Sequence, residues 1–350
     1  MDSTLDLLTL AVAPGLTPRA MRELAARGPL ATALARPAEH ADVLGPPALE
    51  ALLSGSARRR AEAEARRAEA LGVRLVGRDE AGYPAWLRRT YAAPPVLWVR
   101  GALVADEGER AVAVVGSRVA TGLGLAFART LARDLAGAGI TIVSGLARGI
   151  DTAAHRGALD ASGRSVAVLG SGLDRLYPAE NAALARALEG DGAVVSEFPF
   201  ETGPWKGNFP RRNRVIAGWA RATVVVEAGA RSGALSTARA ALDEGRDVMA
   251  VPGHPSWPGA EGTNALLRDG AALVRGADDV LAELGLARPP SRPPIPADAV
   301  LAALDRGVPA GVDEIQSRCG LALPGVLARL AELELEGAVV RMPGALFVRG

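Results

Sequence analysis

The chain has 350 residues, with 40 basic and 39 acidic side chains and a formal net charge of +1. That balance excludes a protein that grips a polyanion through bulk positive charge, so any nucleic-acid contact must come from a local concentration of cations. Apolar residues at 49% and charged residues at 23% supply an ordinary core and exclude wholesale disorder.

Residues 1–71 read as a small helical domain with a connecting helix. Its short helical runs, broken by Gly and Pro, are LTPRAMRELAARG, PLATALARP and PPALEALLSG. Thr17 is placed to cap a helix that has Pro18 at its first position, where the missing N–H has no bond to lose. The run RRRAEAEARRAEA (58–70) interleaves three Glu with five Arg and sets Arg58–Glu62 and Glu62–Arg66 at i,i+4. It reads as a solvated helix held by weak ion pairs. Residues 72–103 look irregular and aromatic.

From Ala111 the pattern sharpens. Short apolar runs (AVAVV, ITIVS, SVAVLG, AVVSE, ATVVVEAG, DVMAVPG) alternate with helical segments such as FARTLARDLAGAG and ALSTARAALDEG. Strands covered on both faces require such runs, and strand–helix alternation predicts an α/β fold with a Rossmann-like, doubly wound parallel sheet over 72–286. Residues 287–297 (ARPPSRPPIPA) hold five Pro in eleven positions and read as a stiff linker. Residues 298–350 show three helical runs and a hairpin turning at Pro343-Gly344, the pattern of a winged-helix domain.

Ligands of doubly wound sheets sit outside the carboxyl ends of the strands. Each strand end here delivers glycines: GSRVATGLG (116–124), GLARGID (145–151), GSGLDRLYP (170–178) and EAGARSGA (227–234). Four such loops on one edge predict a phosphate-binding surface. A dinucleotide site would need G-x-G-x-x-G and an acid closing the second strand, which ends instead in Ser144. A P-loop would need a Lys, and these loops have none. Arg118, a fixed cation in the first loop, suits an internucleotide phosphate better than a cofactor pyrophosphate.

Residues 203–214, GPWKGNFPRRNR, hold the local charge. Lys206, Arg211, Arg212 and Arg214 fall within nine residues, and no acid occurs between Glu201 and Glu227. Lys206 is the only Lys among the 40 basic residues. Trp205 and Phe209 lie in the same stretch, flanked by Gly and Pro, and are read as loop residues. Cations interleaved with loop aromatics suit single-stranded nucleic acid, charge tracking the backbone while a ring stacks on an unpaired base.

With these motifs the sequence resembles the DprA/Smf family of bacterial DNA-processing proteins, from about Gly82 to Leu284. The resemblance rests on GSR (116–118), SGLARGID-TAAH (144–155), GSGLDRLYPAEN (170–181), SEFP (196–199), NFPRRNRVIAG (208–218), EAGARSGALSTA (227–238) and AVPG (250–253). It implies an extended Rossmann fold, a homodimer, single-stranded DNA binding and loading of the RecA recombinase in natural transformation and homologous recombination. Single-strand-binding protein is a further partner it allows. It also implies that Arg118, Lys206 and Phe209 contact DNA. The expected interface is Gly116, Ser117, Arg118, Ser144, Gly145, Arg148, Gly149, Gly172, Lys206, Asn208, Phe209, Arg211, Arg212 and Arg214. The N-terminal helices resemble a sterile-alpha-motif-like or helix-hairpin-helix-like module. The competing reading is an enzyme acting on nucleoside monophosphates, of the phosphoribohydrolase-like Rossmann class. That family's P-G-G-x-G-T-x-x-E motif is absent, and EAGARSGALSTA stands in the comparable place.

The remaining chemistry-bearing residues read as structural, so neither a catalytic group nor a cofactor is expected. Asp151 is taken as a helix N-cap near His155, and Glu197 and Glu227 as partners for the Arg211–Arg214 cluster. Cys319 is taken as core; a single Cys excludes a disulfide framework, and His40, His155 and His254 lie too far apart for metal-ligand spacing. The acidic N-terminus is not a signal peptide, and no apolar run approaches the ~18 residues of a membrane span. The expectation is a soluble, cytoplasmic protein. From 298 to 350, five Arg face seven acids, and the candidate recognition helix LPGVLARLAELELEG carries one Arg and three Glu. A major groove would repel it, so this module is expected to contact protein or cap the fold.

Overall fold

In a computed structural model, residues 3–286 and 298–349 are described, except 306 and 336. The expected linker at 287–297 lies outside them. Two compact units divide at residue 287.

The first unit opens with five helices: α1 (Thr4–Ala11), α2 (Pro18–Arg27), α3 (Leu30–Ala35), α4 (Ala41–Leu53) and α5 (Ser56–Ala70). The Thr17 hydroxyl caps α2 as expected, accepting from the Ala20 N–H with Pro18 at the first position. Such a cap contributes about 1 kcal/mol. The rest alternates: β1 (Arg74–Gly77), α6 (Ala85–Arg88), β2 (Val96–Gly101), β3 (Ala111–Val115), α7 (Gly122–Gly137), β4 (Thr141–Ser144), α8 (Ile150–Asp160), β5 (Ser165–Leu169) and α9 (Ala182–Asp191). Then come β6 (Ala193–Ser196), α10 (Asn208–Trp219), β7 (Ala222–Val225), α11 (Ala234–Asp243), β8 (Asp247–Ala250), α12 (Glu261–Arg268), β9 (Ala272–Leu273) and α13 (Ala277–Glu283).

The nine strands form one sheet in the order β1-β2-β6-β5-β4-β3-β7-β8-β9. All pairings from β6 to β9 are parallel, and every residue of β3 to β7 is buried. Successive side chains serve opposite faces: Ala111, Ala113 and Val115 join the core shared with α10 and α11, while Val112 and Val114 join the core shared with α7 and α8. The region read as irregular supplies β1 and β2, which extend the sheet with antiparallel pairings.

The N-terminal helices share a core with the sheet. Leu7, Leu8 and Leu24 cluster with Val96, Trp98, Leu169 and Val194, so residues 1–71 belong to the same compact unit as the sheet. On α5 the Arg58–Glu62 ion pair forms at 3.2 Å, but Glu64 turns inward. Its carboxylate accepts from the Trp98 indole at 3.2 Å and from the Phe200 amide at 3.1 Å.

The second unit contains α14 (Ala299–Ala302), β10 (Ala310–Gly311), α15 (Val312–Cys319), α16 (Leu323–Leu335), β11 (Val339–Met342) and β12 (Leu346–Arg349). Three helices against a three-stranded sheet make the winged helix expected from the sequence, around Val300, Ile315, Val326, Leu330 and Phe347. Cys319 is half-buried at the edge of that core rather than within it.

Candidate nucleic-acid interface

The chain runs outward through β3, β4, β5 and β6, then returns to place β7 on the other side of β3. At that reversal a cleft of about 770 Å³ opens above the carboxyl ends of the strands. Its walls are the loops after β3 (Gly116–Val119) and β4 (Ala147, Asp151), the residues leading into α10, and the turn into α11 (Gly229–Ser236).

Close packing of these loops explains some of their glycines. Gly149 has a φ of +75°, and a Cβ there would lie 2.2 Å from the Ser117 carbonyl oxygen. Any side chain would push α8 away from the Gly116–Arg118 loop. The Ile150 amide bonds that same carbonyl at 3.1 Å, and the Ser117 amide bonds the Glu227 carbonyl at 2.7 Å. The loops thus brace one another.

Phe209 sits at the centre. Expected in a loop, it lies instead in the first turn of α10, where Pro210 is tolerated because the first amides of a helix have no intrahelical acceptor. Its half-buried ring has the Arg118 guanidinium 4.8 Å away on one side and the Arg212 guanidinium at 5.9 Å. Tyr177 approaches at 6.1 Å, tilted by 58°. A Cβ on Gly170 would collide with the ring at 2.9 Å, so the residue after β5 must be small for Phe209 to seat.

Several expected contact residues face inward instead. The buried Arg212 guanidinium donates to the carbonyls of Gly145 at 2.5 Å and Val168 at 2.7 Å. Burial lowers its pKa to about 10, partly offset by Asp151, and leaves it cationic at neutral pH. Ser144 donates its hydroxyl to the Val114 carbonyl at 2.6 Å, the Gly145 amide donates to Asp151 at 3.1 Å, and the Gly172 amide donates to the Thr202 carbonyl at 2.8 Å. These hydrogen bonds hold the floor together.

The charge cluster therefore splits. Arg214 is half-buried and pairs with the buried Glu197, to which Arg211 also makes a longer contact of 3.4 Å. Glu197 pairs with the cluster as expected; Glu227 instead accepts from the amide and hydroxyl of Thr121, both at 3.0 Å. Arg148 is exposed and bound bidentately by Glu180, a surface pair screened by solvent. Asp151 is not the cap of α8: Gly149 holds that position, and the Asp151 carboxylate takes the Gly145 and Ala147 amides. His155 is wholly buried. The Leu146 amide donates to its Nε2, so Nδ1 carries the proton toward Ser165 Oγ, which in turn donates to the Ile142 carbonyl. Burial, with Arg212 nearby, lowers its pKa to about 3.

The rim is different. Arg118 and Lys206 are exposed, and neither forms an ion pair with a described residue. Next to Lys206, the Trp205 indole is 70% exposed on a turn fixed by Asn208, whose side-chain amide donates to the Gly203 carbonyl at 3.1 Å.

Residues 74–285 match the family described as DNA recombination-mediator protein A, and residues 285–345 match the DprA winged helix domain. The chain belongs to the DprA/Smf family. It is 42% identical to Protein Smf of Escherichia coli over 286 residues, which is 77% of this chain and 76% of that one. It is 37% identical to DNA processing protein DprA of Bacillus subtilis, over 61% of this chain and 72% of that one. Among solved structures, DNA processing protein A of Streptococcus pneumoniae matches with a TM-score of 0.69 at 33% identity, over 81% of this chain and 98% of that one. DNA processing protein A of Helicobacter pylori, whose structure concerns its single-stranded DNA binding mode, matches with a TM-score of 0.54 at 26% identity, over 61% of this chain and 95% of that one.

The family match begins at β1, so the first four helices and α5 precede it. Within the matched region, Arg231, Ser232 and Asn213 also line the cleft, although they were not among the expected contacts. The signal for the first two was present: they sit in the glycine-rich run that follows β7. Among the described residues, no cluster of His, Cys, Asp or Glu has the grouping of a metal site, and no helix is long and apolar enough to cross a membrane.

Proposed function

We propose that this chain is a non-enzymatic, cytoplasmic recombination mediator that binds single-stranded DNA in the cleft at the β3–β7 reversal. The observation that carries the reading is the rim: Arg118 lies 4.8 Å from the half-buried Phe209 ring, Lys206 lines the same cleft next to the exposed Trp205, and neither cation has an ion-pair partner among the described residues. Arg118 and Lys206 neutralise backbone phosphates, and Phe209 stacks on or wedges against an unpaired base. A strand held this way stays extended and open to pairing. The protein then acts as a homodimer that delivers the strand to the RecA recombinase, with single-strand-binding protein as a further partner. The engagement of Asp151 with the Gly145 and Ala147 amides fits a structural carboxylate better than a catalytic base.

Binding of single- and double-stranded oligonucleotides across a salt series tests this, run beside a nucleoside-monophosphate hydrolysis assay. Single-strand affinity falls with salt with a log–log slope of about −0.7 per phosphate neutralised. Salt-insensitive binding, or hydrolysis without oligonucleotide binding, refutes the reading.

A further inference from the structure

A second cationic pocket lies away from the cleft, where the N-terminal helices meet the segment between β1 and β2. It encloses about 450 Å³. Arg22 comes from α2, Arg78 follows β1, Arg88 ends α6, and Arg89 and Tyr91 belong to the segment leading to β2. Four guanidinium groups from three separate parts of the chain thus line one pocket.

The acids nearby do not balance them. Glu244 lines the pocket, but its carboxylate accepts the Tyr91 amide at 3.0 Å and 3.1 Å. Asp79 lies 3.6 Å from Arg78. Arg22 and Arg89 are exposed, and neither forms an ion pair with a described residue. Arg22 instead lies 3.5 Å from the centre of the Tyr91 ring, which is itself 55% exposed. Four guanidinium groups against one lining carboxylate leave a positive excess that favours an anionic occupant, and an exposed ring held by one of them offers a base a stacking surface.

Helix α11 connects this pocket to the cleft. The turn into α11 lines the cleft through Ser232 and Ser236, and Glu244, the residue after α11, lines the arginine pocket. Ten residues of helix span about 15 Å, a distance an extended strand covers in a few nucleotides. Between the two ends, Arg239 and Asp243 line a depression along one face of the same helix, with Arg231 at its cleft end.

We propose that a single strand leaving the cleft runs along α11 and is received a few nucleotides later in the arginine pocket, where Arg22 and Arg89 bind phosphate and Tyr91 meets a base. This rests on the cleft being a single-strand site. It assigns the N-terminal helices a nucleic-acid contact through Arg22.

The test uses the full chain and fluorescence anisotropy with labelled oligothymidylates of about 4 and about 16 nucleotides, the two ends of the range that single-strand sites occupy. Wild-type protein binds the longer strand more tightly. The double variant Arg22→Ala/Arg89→Ala loses about tenfold in affinity for the longer strand, and its salt slope flattens by about 1.4, two phosphates at ~0.7 each. Its affinity for the shorter strand is unchanged. Arg22→Lys/Arg89→Lys retains most of the long-strand advantage. An unchanged double variant, or equal loss at both lengths, overturns the proposal while leaving the cleft reading standing. Polyglutamate that binds wild type but not the double variant, with DNA affinity untouched, overturns it in favour of an acidic protein surface. Wild type that binds neither length refutes the cleft reading and this proposal together.

Discussion

The floor and the rim of the cleft both depend on arginine, and the same side chain does opposite work in the two places. On the floor, Arg212 is buried and bridges the ends of two strands through the carbonyls of Gly145 and Val168. On the rim, Arg118 stands in water with no carboxylate partner among the described residues. A buried cation joins groups that would otherwise lose their hydrogen bonds, so its removal is felt as lost stability. A solvated cation without a carboxylate partner has only its contact with the Phe209 ring to lose in the free protein, so its removal is felt mainly when an anion arrives.

The largest effect separates the two sites cleanly. Arg212→Ala leaves the Gly145 and Val168 carbonyls unpaired and Asp151 without its nearest cation, and it should destabilise the protein by about 3–5 kcal/mol in urea melts. Arg118→Ala should stay within about 0.5 kcal/mol of wild type in the same assay. If Arg212→Ala folds with wild-type stability, Arg212 does not brace the floor.

His155, beneath the floor, sharpens the point through pH. Its pKa is about 3 when folded, against 6.5 for an exposed imidazole, so the unfolded chain binds the proton more readily. The stability it contributes is complete above pH 6.5 and is lost progressively as pH falls toward 3. Urea melts should show a decline of up to about 1.4 kcal/mol per pH unit below 6.5. In His155→Asn, which can still donate to Ser165, that part of the slope should vanish, even though the variant is less stable at neutral pH.

On the rim, Phe209→Ala should weaken single-strand binding by about 1–3 kcal/mol for a stacked base. Because the ring also packs against Gly170, Phe209→Leu provides the control: it keeps apolar filling and loses the aromatic face. Leu restoring full affinity would return Phe209 to a packing role. Arg118→Ala should reduce affinity about tenfold and flatten the salt slope by about 0.7.

The division between floor and rim also marks where sequence reading succeeds. Strands β3 to β8 are legible because a strand covered on both faces needs an unbroken apolar run. Strands β1 and β2 are not, since RLVG is short and partly exposed and β2 follows two prolines. The start of α10 is hidden because Gly207 and Pro210 signal a loop, while the first helical turn tolerates Pro. The rim was legible as an acid-free stretch. The burial of Arg212 was not, because its partners Gly145 and Val168 lie 67 and 44 residues away in sequence. A charge count treats the four cations of residues 206–214 alike, and only the fold sorts them.

The smallest expected effect concerns the winged helix, and the contrast with the rim carries it. Two of its cations are engaged within its own unit: Arg318 pairs with Glu314 and Asp305, and Arg329, on the helix that would enter a groove, pairs with Asp298 and Glu332. Exposed Leu323 and Leu327 start that helix, apolar where a groove-reading helix carries donors. Arg118 and Lys206 have no carboxylate partner among the described residues, and Arg318 and Arg329 differ from them in that respect. Removing residues 287–350 should therefore leave single-strand affinity within about twofold and the salt slope unchanged. A truncated protein that loses more than about tenfold, with a flatter slope, would show that phosphates reach the second unit despite its acids. An apolar, acid-rimmed helix fits a protein partner, and if the chain delivers strands to a recombinase as proposed, the truncation should lose delivery while keeping single-strand binding.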